Sequence, residues 1–221
     1  GVLRFPPRRD PNPPPPSADR VAGPGGVTMS ENLYAPPAAP VVAPERAVAG
    51  GTEYFVVGTT KLVLLYFATL GMYPLFWFYM HWARYKRFRR QDMWPAARAL
   101  FAIFFTHQLT GEIDDRLRRD GKRHAWSPGG NATAFVVLSI ISTVASRIPE
   151  GISKTADLLP ILLLAPIAWC LVNIQRAANL ACGQPQGESN RGLTWANWIW
   201  LVLGGIFWLL ILAGLLLPAE A

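Results

Sequence analysis

An apolar stretch that passes directly into a cluster of Arg and Lys is the feature that most constrains this chain. It runs from Lys61 to Arg90 (KLVLLYFATLGMYPLFWFYMHWARYKRFRR), and its aromatic residues gather just before the basic ones. A helix that crosses a bilayer needs about 20 mainly apolar residues. Trp and Tyr favour the membrane interface, and Lys and Arg are enriched on the cytoplasmic side. The pattern predicts a membrane segment over residues 54–80 that ends at the cytoplasmic face.

The composition indicates that a bilayer surrounds most of the chain. Of its 221 residues, 51% are hydrophobic and 16% are charged, whereas about a quarter are charged in ordinary soluble domains. Three further apolar segments follow, at about residues 132–148, 158–174 and 195–217. We therefore predict an all-α fold, a multi-pass transmembrane helical bundle of about four spans within residues 54–217.

Residues 1–53 show a different composition. The first 28 are dominated by Pro, Gly and Arg, and the stretch up to about Thr52 stays rich in Pro and Ala. Such a composition cannot supply a hydrophobic core, so we expect a disordered Pro/Gly/Ala-rich lead over residues 1–53. The sequence from Met29 reads like a natural start, and we expect that residues 1–28 are not native to the protein.

Residues 81–126 carry the strongest orientation signal. They hold 11 Lys and Arg against five acidic residues, which predicts a basic cytoplasmic loop. Within this loop, residues 94–109 (WPAARALFAIFFTHQL) are apolar and aromatic but include Arg98 and His107. The stretch is short for a span, so we predict an interfacial or re-entrant amphipathic helix.

The later loops refine the orientation. The loop after the second span balances its charges, whereas the one before the last span carries Arg176 and Arg191 against Glu188. With four spans, this places the N-terminus and the C-terminus outside. Gly71 and Pro74 are candidate kink positions and leave an alternative open. A break there could fold the first segment into a hairpin, or residues 94–109 could span the membrane. Either would move one terminus to the other side.

Two strings in this region resemble a known group of sequences. They are TLGMYPLFWFYMHWARYK and DMWPAARALFAIFFTH. The matching positions are Thr69, Leu70, Gly71, Tyr73, Trp77, Phe78 and Tyr79, then Met93, Trp94, Pro95, Arg98, Ala99 and Phe101. The pattern is similar to that of DUF4234, a membrane domain of unknown function found in uncharacterised bacterial integral membrane proteins. The resemblance implies a location in the bacterial inner membrane and brings no known activity. Pro74 departs from the small residue expected at its position.

Five cations follow the aromatic cluster: Arg84, Lys86, Arg87, Arg89 and Arg90. They could contact anionic lipid headgroups, at about 1 kcal/mol for each charge near the surface. They could instead act as an orientation determinant that needs no specific ligand. Both interpretations place the side chains at the cytoplasmic face.

Residues suited to catalysis or metal binding do not form a recognised motif. Glu112, Asp114 and Asp115 lie near His107 and His124 in the sequence but alternate with cations, which favours a solvated helix face with local ion pairs. No phosphate loop, nucleophile elbow or zinc motif occurs. We therefore predict no enzyme, no catalytic residue, no cofactor and no metal. Because the positive charge is first a topology signal, no nucleic-acid partner is expected.

Few polar residues interrupt the apolar segments. Lys61 is expected near the outer end of the first segment, and Asn173 and Gln175 lie near the end of the third. An ion-coupled transporter would place charges deep in the bundle. We therefore predict a non-enzymatic protein that acts through packing, contact with membrane lipids, or association with another membrane protein or a second copy. The alternative is a small channel or transporter subunit.

Overall fold

A computed structural model describes residues 51–149 and 154–216. They form seven α-helices: α1 (Thr59–Ala68), α2 (Tyr73–Arg89), α3 (Pro95–Leu100), α4 (Ala102–Arg119), α5 (Pro128–Ala145), α6 (Lys154–Ala181) and α7 (Trp195–Leu216), with a 3₁₀ turn at Glu188–Asn190. Three stretches are long and apolar enough to cross a membrane: Pro128–Ala145, Leu158–Ala181 and Trp195–Gly214. The predicted all-α fold is confirmed, with three such helices in the described residues and not about four. Residues 1–50 of the expected disordered lead lie outside the described residues.

The first apolar segment explains why the described residues contain three candidate spans where about four were predicted. Helix α1 ends at Ala68 and α2 begins at Tyr73, so residues 69–72 form a turn. Leu70 and Gly71 have positive φ angles of 49° and 86°, a left-handed conformation that interrupts a right-handed helix. With 10 residues, α1 is about 15 Å long, half of the roughly 30 Å hydrocarbon core. The expectation of one spanning helix over residues 54–80 is therefore wrong.

Helices α1 and α2 form a hairpin that begins and ends at the same end of the bundle. The non-helical residues before α1 pack along α2, where the Tyr54 ring lies 6.1 Å from the Tyr85 ring. Glu53 forms ion pairs with Arg89, at the end of α2, and with Arg116 of α4. The start of the described chain and the basic loop were expected on opposite sides. These ion pairs place them together, which corrects the predicted path of the N-terminal segment.

We call this end of the molecule the basic end. Lys122, which follows α4, donates a hydrogen bond of 3.2 Å to the carbonyl of Ala181, the last residue of α6. Helix α5 starts here and α7 runs away from it, so the three long helices alternate in direction. Of the Lys and Arg in the described ranges, only Arg147, which follows α5, and Lys154, the first residue of α6, lie at the opposite end.

The predicted interfacial helix is divided in two and is longer than expected. Residues 94–109 fall on α3 and on the first part of α4, which continues to Arg119. The buried residues of α4 recur every three or four positions, as on one face of an amphipathic helix: Thr106, Leu109, Thr110, Ile113 and Leu117. Its first turns and α3 leave large apolar side chains exposed: Trp94, Leu100, Phe101, Ile103 and Phe104.

Helix α7 lies at the edge of the bundle. Its principal contact is with α1, where Gly204 packs against the backbone of Ala68 and Trp208 Nε1 donates a 2.9 Å hydrogen bond to the carbonyl of Phe67. Only 6% of its candidate span is buried, against 44% for α6. The core of the protein therefore lies between the hairpin, α4, α5 and α6.

Candidate functional site

A polar cluster in the interior binds the non-helical segment that precedes α1. Gln175 and Asn179 of α6 are both fully buried. Gln175 Nε2 donates to the carbonyl of Phe55 at 2.9 Å, and Asn179 Nδ2 donates to the carbonyl of Val57 at 2.9 Å. Asn179 Oδ1 also accepts from the Val57 N–H at 3.4 Å. The amides supply the backbone partners that a non-helical segment lacks within itself.

Asn190, in the turn before α7, adds a third amide. Its Nδ2 donates to the carbonyl of Val56 at 3.1 Å, and its Oδ1 accepts from Lys61 Nζ at 2.7 Å. Lys61 Nζ also donates to the carbonyl of Gly192 at 2.8 Å, and this lysine is 6% exposed. Lys61 was expected at the outer end of a span. It lies instead at the basic end, because the turn before α7 satisfies its ammonium group. We call Gln175, Asn179 and Asn190 the amide clamp.

Two aromatic residues of α2 meet the clamp at Gln175. Trp77 Nε1 donates to Gln175 Oε1 at 2.6 Å, and His81 Nε2 lies 3.4 Å from the same oxygen. Both aromatic side chains are fully buried. The oxygen of Gln175 therefore binds α2 while its nitrogen binds the segment before α1. The side chain of Gln175 therefore connects α6 to α2 and to the segment before α1.

A buried carboxylate closes the cluster at the basic end. Glu53 is 4% exposed; its Oε1 accepts from Arg89 Nε at 2.5 Å and its Oε2 from Arg116 Nη1 at 2.8 Å. Burial acts to lower the pKa of Arg116, but its hydrogen bond to Asp120 and the charges of Glu53 and Asp120 outweigh it, so the pKa is raised. The guanidinium groups stay charged and compensate the buried Glu53.

The five cations singled out from the sequence have different surroundings. Arg84 donates to the hydroxyl of Thr52, Lys86 to the carbonyl of Met93, and Arg89 to the buried carboxylate. Arg87 and Arg90 are exposed and form no ion pair with any described residue. The structure therefore uses three of these cations to hold the fold and leaves two at the surface.

Gly71 and Pro74 lie in and beside the turn of the hairpin. Gly71 is in the left-handed region, and a Cβ atom there would lie 3.1 Å from Leu164 Cδ2 of α6. Pro74 is in the first turn of α2, where a missing N–H costs no helical hydrogen bond. The structure therefore has a chain reversal where a kink was expected, and Pro74 starts the returning helix.

The carboxylate of Asp114 and the imidazole of His107, both on α4, are engaged separately. Asp114 accepts from Trp126 Nε1 at 3.1 Å and pairs with Arg118 at 2.6 Å, while His107 Nε2 lies 3.0 Å from Thr133 Oγ1 of α5. Within residues 51–149 and 154–216, no three His, Cys, Asp or Glu residues are grouped in a way that could hold a metal. The contacts are those of a helix face that packs on a neighbour.

A groove of about 660 Å³ separates the hairpin turn from α7. Met72, Phe76 and Phe207 are each at least half exposed there, so the groove opens on the outer surface. Most of the residues that line it are apolar: Leu65, Ala68, Thr69, Leu70, Met72, Tyr73, Phe76, Ala196, Asn197, Trp200, Leu203, Gly204 and Phe207.

Sequence reasoning identified Gln175 but missed Asn179, Asn190 and Glu53. A signal for Asn179 was present, because it lies four residues after Gln175 and so shares a face of the same helix. Glu53 was assigned to the lead, since nothing local in the sequence shows that its partners are Arg89 and Arg116 in two different helices.

Comparisons with known proteins give no match: no family model, no curated protein and no solved structure corresponds to this chain. The fold and the polar cluster are sufficient to describe the class of protein. The chain is an all-α protein with three helices suited to crossing a membrane and a hairpin that buried polar side chains hold in place.

Proposed function

We propose that this chain is a small, non-enzymatic, multi-pass protein of the bacterial inner membrane that acts by contact with lipids or with another membrane protein. One observation carries the proposal. The fully buried amides of α6, Gln175 and Asn179, bind the backbone of the chain's own segment before α1. These buried amides are therefore engaged by the chain itself and support the fold.

The arrangement in the membrane follows from the charges. Lys and Arg favour the cytoplasmic side, so the basic end, with the loop 81–126, is cytoplasmic. Helices α5, α6 and α7 then cross the bilayer, and the hairpin enters it from the cytoplasm. The start of the described chain is cytoplasmic, and α7 ends on the periplasmic side.

The hairpin reaches about the middle of the bilayer. Its turn lies beside Gly204, which is close to the centre of the 22-residue α7. Non-helical backbone at membrane depth is tolerated only where protein or water satisfies it. Within the turn, the N–H of Gly71 donates to the carbonyl of Tyr66 and the N–H of Met72 to the carbonyl of Thr69, both at 3.0 Å. The amide clamp supplies partners to the non-helical segment before α1.

A small channel or transporter subunit is the second candidate. The re-entrant hairpin favours it, because selectivity filters are built from chain that enters a membrane and returns. Purified protein in liposomes separates the two roles. We expect ion flux equal to that of protein-free liposomes, and a flux that Gly71→Ala alters would favour the channel.

Reporter fusions test the arrangement itself. A fusion after Arg123 should report a cytoplasmic position and a fusion after Ser146 a periplasmic one. The reverse result would contradict the proposed orientation. Alanine at Glu112, Asp114 or His107 should leave any detected turnover unaffected, because Asp114 and His107 are engaged with neighbouring side chains of the fold.

We also propose membership of the DUF4234 group, on the strings around Gly71 and Trp94 alone. The resemblance supports the membrane location and adds no activity. Its glycine coincides with the turn of the hairpin, so the same chain reversal is expected in the members of that group.

A further inference from the structure

We propose that the groove between the hairpin turn and α7 binds one acyl chain of an anionic phospholipid from the leaflet on the basic side. This inference rests on the proposed function, because it uses the membrane orientation given there.

The groove is preformed between two elements whose separation is fixed. Leu65 lines one wall and Leu203 the other. Gly204 holds α7 directly against α1, and the hydrogen bond from Trp208 Nε1 to the carbonyl of Phe67 fixes the next turn. Its volume of about 660 Å³ lies within the roughly 300–1,000 Å³ of small-molecule pockets. An apolar chain can therefore enter without separating the helices.

The length of the groove corresponds to one leaflet. It follows α7 from Ala196 to Phe207, which is about 16 Å at 1.5 Å per residue. Half of the hydrocarbon core is about 15 Å. An acyl chain ends near the middle of the bilayer, as this groove does. A spanning helix from a partner or a second copy would continue beyond the hairpin, where the groove no longer provides a second wall.

The end of the groove nearest the basic end suits a negatively charged headgroup. Asn197 and Trp200 line it, and the neighbouring Trp195 is 78% exposed, as expected for side chains at the membrane interface. Arg191 is exposed and forms no ion pair with any described residue. Arg191 lies beside the start of α1, because a Cβ atom added to Gly58 would be 3.3 Å from the Cα of Arg191. This cation favours an anionic headgroup over a zwitterionic one.

Photolabelling of the full chain in lipid nanodiscs tests the inference. The probes are phosphatidylglycerol and phosphatidylcholine that carry the same diazirine near the end of one acyl chain. We expect labelling of Met72 and Leu203, which line the groove and are 67% and 42% exposed, to exceed severalfold that of Leu209 and Leu210, which lie on α7 outside the groove. Phosphatidylglycerol should label the groove more strongly than phosphatidylcholine.

Two variants and a matched control make the test specific. Leu203→Trp fills the groove and should remove the excess labelling, whereas Leu210→Trp adds the same bulk at a position 62% exposed and should leave it intact. Arg191→Gln should abolish the headgroup preference and retain the labelling. Circular dichroism and size-exclusion chromatography check that each variant is folded.

Three results would overturn the inference: equal labelling of the groove and of Leu209 and Leu210, labelling that persists in Leu203→Trp, or crosslinks from the groove to protein in place of lipid. If the reporter after Arg123 is cytoplasmic and the groove is not preferentially labelled, the lipid site alone fails. If that reporter is periplasmic, the orientation and the proposed function fail with it.

Discussion

The hairpin and α7 are both apolar in sequence, but they have opposite surroundings. Leu62 of α1 and Trp77 of α2 are fully buried within the protein. Only 6% of the candidate span of α7 is buried, and α1 is its main neighbour. One apolar segment thus returns to the end at which it started, while the other runs the length of a span. An apolar sequence alone therefore does not distinguish a segment buried within the protein from one that the protein leaves uncovered.

Polar contacts account for the difference. Lipid tails are as apolar as a Leu side chain, so the hydrophobic effect gives a membrane helix little reason to prefer protein to lipid. An unsatisfied buried polar group costs about 1–3 kcal/mol. The hairpin is placed where Gln175, Asn179 and Glu53 satisfy such groups. In α7, Trp208 makes one such contact with α1.

We expect the largest effect from replacing Gln175, which contacts both α2 and the segment before α1. Gln175→Leu leaves Trp77 Nε1 and the carbonyl of Phe55 without partners, so the free energy of unfolding should fall by about 3 kcal/mol. Denaturant titration in mixed micelles measures it. Asn173→Leu is the matched control in the same helix, because the Asn173 side chain is half-buried and its contact with Asn131 is long, at 3.4 Å. Equal losses in the two variants would contradict the role of the clamp.

Glu53→Gln should have the next largest effect. It removes the negative charge between Arg89 and Arg116, and we expect a loss of about 2 kcal/mol, because both guanidinium groups are partly exposed and can be hydrated in part. The same titration measures it. Glu188→Gln changes an exposed carboxylate and should cost little. A Glu53→Gln variant as stable as Glu188→Gln would show that the ion pairs do not hold the hairpin.

Adjacent glycines in α7 provide the third comparison. A Cβ on Gly204 would collide with the backbone of Ala68, whereas one on Gly205 would meet no atom within 4 Å. Gly204→Ala should therefore destabilise the contact between α7 and the hairpin by about 1–2 kcal/mol. Gly205→Ala should be neutral or slightly stabilising. Thermal unfolding followed by Trp fluorescence distinguishes the two variants. If Gly205→Ala were the less stable one, α7 would not pack on α1 through Gly204.

The smallest effect concerns pH at the basic end. Burial acts to raise the pKa of Asp120, but hydrogen bonds from Arg116 and Lys122 outweigh it and lower the pKa. A lowered pKa in the folded state means that the stabilisation is present above the ordinary pKa of Asp and is lost as pH falls through the lowered value. The loss in the free energy of unfolding should be well below 1 kcal/mol, because the contact between Arg116 and Asp120 is exposed. Asp120→Asn should remove this part of the acid dependence, and Asp115→Asn should retain it.

The sequence predicted the helical fold and the later apolar helices because long apolar stretches are a local signal. It also identified Gly71 and Pro74, and it left the hairpin open as an alternative to a span. It did not predict the hairpin, because the decision depends on partners far along the chain. Phe55 and Gln175 are 120 residues apart, and Glu53 and Arg116 are 63 apart. Such pairings have no local signature.

Thiol labelling from each side of the membrane tests the re-entrant hairpin most directly. In a variant with Cys170 and Cys182 replaced by Ser, Gly51→Cys and Gln91→Cys place one thiol before α1 and one after α2. We expect a membrane-impermeant maleimide to label both in inside-out vesicles and neither in intact spheroplasts. Labelling of Gly51→Cys from the outside, with Gln91→Cys labelled only from the inside, would show that the first segment crosses the membrane and would contradict the account.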